Sequence, residues 1–171
     1  MLENLNDYTL GESTGTIALS LREENRLATL ALVGQAKRSI YIFSHQLDPY
    51  IYGDKDFLEA IIRLATRSRH SKIYLLVQNT QPMIKHGHRI IEISRRLSSY
   101  IKIRKVSEEF KDYHEDFLIV DETGLIHRKI ATRYEGFASF NARREAKILI
   151  KFFDNVWIQS EPEPKLRHLH I

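Results

Sequence analysis

Cysteine is absent from the 171-residue chain. That single absence excludes a disulfide scaffold, a zinc–thiolate site and a thiol nucleophile. Long apolar runs are missing too, and none approaches the ~18 residues that a membrane-spanning helix needs. The opening residues, Met1 to Ser13, are polar and acidic and lack the basic-then-apolar pattern of a secretory leader, so a cytoplasmic location is expected. The sequence contains no internal repeat and no low-complexity tract. Neither sign of charge dominates: 26 Lys and Arg stand against 22 Asp and Glu, a formal +4. This balance suits an anionic partner but falls short of a dedicated nucleic-acid arm. What is present is globular, with 43% hydrophobic and 28% charged residues in a length that fits one domain.

Periodicity along the chain predicts alternating helices and strands. Residues 1–19 are weakly patterned and read as a flexible or extended segment. Ser20-Leu21-Arg22-Glu23 has the form of a capping box, and Leu27, Leu30, Ala31 and Gly34 follow at helical spacing. Ser39 to His45 is β-branched and aromatic and reads as a strand. A second helix carries Phe57, Ile61, Leu64 and Ala65 on one face and ends near His70. Lys72 to Val77 is a near-continuous apolar run, as in a strand covered on both faces. A third helix is predicted from about Thr80 to Leu97, with Pro82 in its first turn. Ile101 to Val106 alternates, Phe117 to Val120 is apolar throughout, and Asp121-Glu122-Thr123-Gly124 turns the chain toward Leu125–Ile130 as an antiparallel partner. Asn141 is placed to cap a last helix carrying Ala146, Leu149, Ile150, Phe153 and Trp157. The order αβαβαβββα predicts an α/β fold, a mixed β-sheet sandwiched by helices, over residues 20–160. Residues 161–171 read as a docking tail through Leu166, Leu169 and Ile171.

The stretch that could carry chemistry is His114-Glu115-Asp116-Phe117-Leu118-Ile119-Val120-Asp121. Residues 114 and 116 project to one face of a strand, and Asp121 lies at its far end. This pattern resembles the phospholipase D-like superfamily, whose signature is H-x-K-x-x-x-x-D, often continued by six residues and G-S-x-N. His114 and Asp121 fall on the His and Asp positions. Ala36 to Ile42, followed by a loop, a helix and Lys72 to Val77, is similar to the first half of such a domain, and Phe153-x-x-x-Trp157 to its closing helix. The resemblance implies a phospholipase D-like fold, with His114 as nucleophile and Asp121 as its orienter. A second histidine would act as acid, and a chain with one motif must dimerise to provide it.

Two departures bear on that chemistry. The phosphate-binding lysine is replaced by Asp116, and the G-S-x-N positions hold Arg128, Lys129, Ile130 and Ala131. Two unit charges at about 4 Å are worth about 4 kcal/mol at an effective dielectric of 20, so reversing the sign costs up to about 8 kcal/mol. Half of that is about a thousandfold in rate. Arg128 or Lys129 could restore the cation as a phosphate clamp, but a cation beside Asp116 more simply pairs with it. The chain therefore reads as a non-catalytic binding or structural module. The alternatives are a homodimeric phosphodiesterase using His114 and Asp121, with Lys129 or Arg128 on phosphate, and a nucleic-acid-binding module. Basic runs at Arg63–Lys72, Arg95–Lys105 and Arg143–Lys147, with tyrosines interleaved, serve the last of these or simply form solvated helix faces.

No cofactor is expected and no metal site is assigned. His86-x-His88 falls on a predicted helix, where residues two apart face different ways. His168-x-His170 lies in the tail with no companion carboxylate. His114, Asp112 and Asp116 offer nitrogen and oxygen ligands without a fixed further one.

Overall fold

A computed structural model describes residues 4–166. Its elements run β1 (Ile17–Leu19), α1 (Arg22–Val33), β2 (Ser39–Ser44), α2 (Pro49–Tyr52), α3 (Lys55–Arg67), β3 (Lys72–Val77), α4 (Gln81–Lys85) and α5 (Arg89–Arg96). They continue with β4 (Ile101–Lys105), β5 (Asp116–Val120), β6 (Gly124–Arg128), β7 (Gly136–Ser139), α6 (Arg143–Gln159) and β8 (Glu161–Pro162). Among the described residues the strands form one eight-stranded sheet in the order β1-β7-β6-β5-β2-β3-β4-β8. Strands β2, β3 and β4 are parallel, and β5 is antiparallel to β2. The predicted mixed sheet between helices is the observed fold.

Alternation along the strands divides the core into two faces. Ile40 and Ile42 of β2, Ile73 and Leu75 of β3, and Leu118 and Val120 of β5 point to the side holding α1 and α3, where Leu32, Phe57, Ile61 and Leu64 are buried. Tyr41, Phe43, Phe117 and Ile119 point the other way, toward Phe153 and Val156 of α6. Every residue of β2 and of β5 is buried, which explains why their apolar runs scarcely alternate in polarity. Burying each such side chain contributes about 1.5–3 kcal/mol.

Several local expectations are revised. Helix α1 begins at Arg22, so the carboxylate that accepts the Ser20 and Leu21 amides, each at 2.9 Å, belongs to Glu24. Glu23 instead pairs with Arg26. The third helix is two helices, α4 and α5, parted at Gly87 with φ +62°. Alanine or a larger residue resists that conformation, so the glycine marks the break. Helix α6 starts from Ala142 without a side-chain cap, while the Asn141 amide donates to Ser139 Oγ at 3.3 Å. Strands β1, β7 and β8 were not foreseen. Two of them, β1 and β8, lie beyond the expected 20–160 core and form the sheet's edges. Leu166 is buried against the body; Leu169 and Ile171, like His168 and His170, lie outside the described residues.

Candidate functional site

Strands β2 and β3 end together, with Ser44 beside Val77. Strand β5 starts at this end and β6 finishes there, because Asp116 pairs with Arg128. The segments leaving these ends enclose a cleft of about 630 Å³. Open α/β sheets take their ligands in this position, outside the carboxyl ends of the parallel strands.

The cleft floor is an ion pair. Arg128 Nη2 donates to Asp116 Oδ2 at 2.9 Å, and both side chains are almost wholly buried. The same carboxylate accepts the His45 amide at 3.0 Å and the Ser44 hydroxyl at 3.3 Å. Burial pushes the Asp116 carboxyl up to about 6, against the pull of the Arg128 guanidinium and these hydrogen bonds. Arg128 Nη1 donates to the Arg133 carbonyl at 2.9 Å, and its guanidinium lies 5.3 Å from the Tyr134 ring centroid. Asp116 at the start of β5 is thus paired with a cation from the neighbouring strand.

A second ion pair stands at the rim. Arg22 meets Asp48 through Nε at 3.0 Å and Nη2 at 2.6 Å, and the Tyr134 hydroxyl donates to Asp48 Oδ2 at 3.2 Å. Burial opposes ionisation of Asp48, yet Arg22, the Tyr50 amide and Tyr134 hold its carboxyl below the ordinary range. His88 caps α5, its Nδ1 accepting the Ile90 amide at 3.2 Å. Burial lowers its imidazole to about 4 despite the nearby Leu47 carbonyl and Asp48, so the ring is neutral at pH 7. Leu47, Pro49, Pro82 and Met83 give the cleft apolar walls.

Of the residues assigned a role from sequence, Arg128 lines the cleft with its partner Asp116, and so do His86, His88 and Ala131, while His114, Asp121 and Lys129 do not. His114 is exposed on the segment before β5, and its carbonyl accepts the Ala131 amide at 2.7 Å. Lys129 is exposed as well, since it follows Arg128 and projects from the opposite face. Asp121 lies at the opposite end of β5 from His114. There it accepts the Lys37, Arg38 and Ser39 amides at 2.8, 2.7 and 3.0 Å, fixing the start of β2. His86 and His88 do not share a helix face: His86 is exposed after α4 and His88 is buried at the start of α5.

Sequence reasoning missed His45, Gln78 and Arg89. His45 and Arg89 line the cleft, and Gln78 lies behind His45. A signal existed for two of them. His45 and Gln78 each follow an apolar strand, and in a parallel pair those two positions end side by side at the ligand end of the sheet.

The family described as Domain of unknown function (DUF7931) matches residues 21–169. The chain belongs to this family. The DUF7931 match spans every helix described above and all the strands except β1. No curated protein matches the chain by sequence. Its fold is similar to that of Nuc from Salmonella typhimurium, a phospholipase D family member, at 14% identity and a TM-score of 0.66 over 88% of this chain and 99% of Nuc. NucT from Helicobacter pylori is similar at 14% identity and 0.58, over 88% of this chain and all (100%) of NucT. The archaeal chromatin protein TrmBL2 is similar at 16% identity and 0.63, over 86% of this chain; the DUF7931 chain spans about half, 54%, of TrmBL2. The phospholipase D-like fold anticipated from the sequence is therefore present in this DUF7931 member.

Proposed function

We propose that this chain is a phospholipase D-like domain that binds a ligand in the cleft at the carboxyl ends of β2 and β3, without running the superfamily's nucleophilic chemistry. One observation carries the reading: Asp116, which the resemblance sets at the position of the phosphate-binding lysine, is buried in an ion pair with Arg128. A phosphodiester at this floor would meet a carboxylate, and the adjacent guanidinium is spent on that carboxylate. His114, outside the cleft lining, is poorly placed to attack anything held there. Hydrolysis of bis-p-nitrophenyl phosphate tests this. The purified wild type is expected to be inactive. Activity that disappears in His114→Ala would overturn the reading and restore the phosphodiesterase alternative, with its homodimer, Arg128 or Lys129 on phosphate, and Asp121 in a supporting role.

A second reading is nucleic-acid binding without chemistry. It draws on the formal charge of +4 and on the fold shared with TrmBL2, a protein described as showing a novel mode of DNA binding. Binding of this kind weakens steeply with salt, because phosphate contacts release counterions. Affinity for a short DNA duplex and for its single strands, measured at two salt concentrations, distinguishes it. A flat salt response removes this reading.

A further inference from the structure

One imidazole in the cleft is held in a single tautomer. Gln78 directs its Nε2 at two main-chain carbonyls, those of Tyr113 at 2.8 Å and Phe110 at 3.2 Å. Carbonyls only accept, so the nitrogen of the Gln78 amide must face them and its Oε1 must face the other way. That oxygen lies 3.2 Å from His45 Nδ1. An amide oxygen also only accepts, so the hydrogen-bond network assigns the proton of the neutral ring to Nδ1. His45 Nε2 is left with its lone pair. It has no partner among the described residues and is not among their buried unpartnered atoms, so it is open to the cleft that His45 lines.

The charges around it are equally constrained. Of the three cleft arginines, Arg22 is paired with Asp48 and Arg128 with Asp116. Arg89 is exposed at the rim and makes no ion pair among the described residues. The cleft therefore presents one uncompensated positive charge, one fixed acceptor and the apolar walls of Leu47, Pro49, Pro82 and Met83, in a volume suited to a small molecule.

We propose that the cleft takes a small hydroxylated carboxylate, its hydroxyl donating to His45 Nε2 and its carboxylate answered by Arg89. The assignment rests on the ligand-binding reading above and adds the class of ligand. A single charge fits one unpaired guanidinium better than a polyanion does. A donor on the ligand matches the bare Nε2 of the neutral ring, whose proton Gln78 holds on Nδ1.

The full chain, titrated with 3-hydroxybutyrate and with butyrate and followed by NMR, tests this. The two acids share charge and carbon chain and differ in one donor. The hydroxy acid is expected to bind about tenfold more tightly, the worth of one hydrogen bond. His45→Phe should erase that difference, and Arg89→Gln should weaken both acids alike. Long-range proton–nitrogen spectra of the wild type should show Nδ1 protonated and Nε2 bare, with Nε2 shifting on addition of the hydroxy acid only. This measurement does not depend on a variant folding. Equal affinities, or a proton on Nε2, overturn the proposal. If neither acid binds while a DNA strand still perturbs the cleft resonances, the hydroxy-acid assignment fails and the ligand-binding reading stands. If nothing perturbs the cleft, both fail.

Discussion

Asp116 and Asp121 cap opposite ends of β5, and their surroundings differ in kind. Asp121 is met by three main-chain amides of the turn that starts β2, and no side-chain cation among the described residues pairs with it. Its partners are fixed by the fold and would be there whatever the side chains were. Asp116 is met by one guanidinium, one amide and one hydroxyl, and burial raises its carboxyl to about 6. Its principal partner is a side chain that substitution could remove. One strand thus has a closed end held by main-chain amides and an open end that borders the cleft.

The largest test of that contrast is Asp116→Ala. It leaves Arg128 buried without its counter-charge, at an expected cost of about 3–5 kcal/mol in urea unfolding. The double variant Asp116→Leu with Arg128→Met should recover most of this loss, because replacing a buried ion pair by packed apolar groups is often neutral. If the double variant is as unstable as the single one, the pair supports the fold itself and the two ends are not different in kind.

The pH dependence of stability is the next test. The folded Asp116 carboxyl lies near 6, above the unfolded value of 3.8, so the folded state holds the extra proton between these limits. The contribution is fully present below about pH 4 and is lost as pH rises through about 6, a change of about 2–3 kcal/mol. The wild type should therefore lose more stability than Asp116→Asn between pH 4 and pH 7. Equal slopes for the two proteins would mean that Asp116 titrates normally. Asp121→Asn, by contrast, keeps the shape of the closed end but gives up charge-assisted hydrogen bonds to amides. It should cost about 2 kcal/mol at neutral pH and leave the cleft chemistry untouched, as read by the NMR titration.

The closed end was legible in the sequence and the cleft end only in part. The apolar run from Phe117 to Val120, bounded by Asp121 and a turn, was enough to read the strand and to point to the phospholipase D-like fold. The pairing of Asp116 with a nearby cation followed from placing Arg128 at the position normally held by a small residue. Position alone does not tell which of Arg128 and Lys129 turns inward; the strand register does, by setting Arg128 opposite Asp116. His45 and Gln78 could each be placed after a strand, but not beside one another, for a similar reason. Their juxtaposition depends on β2 and β3 being neighbours, parallel and in register, and that is a tertiary fact. The break between α4 and α5 needed the positive φ of Gly87, and hydrophobic spacing is blind to it.

Two glycines carry the comparison to its smallest scale. Gly124 starts β6 at the closed end, and a Cβ there would come within 2.7 Å of both Leu10 and Leu32 side chains. Gly87 lies at the cleft end with φ +62°, and a Cβ there would meet nothing within 4 Å. Gly124→Ala must move packed side chains and should cost about 1–3 kcal/mol. Gly87→Ala has room but must hold a left-handed conformation, for about 1 kcal/mol. The two can be told apart by adding space. Leu10→Ala should relieve part of the Gly124→Ala cost in a double-mutant cycle and do nothing for Gly87→Ala. If the cycle shows no coupling at Gly124, the closed end is looser than its distances imply, and the division between a packed end and an open end of β5 weakens with it.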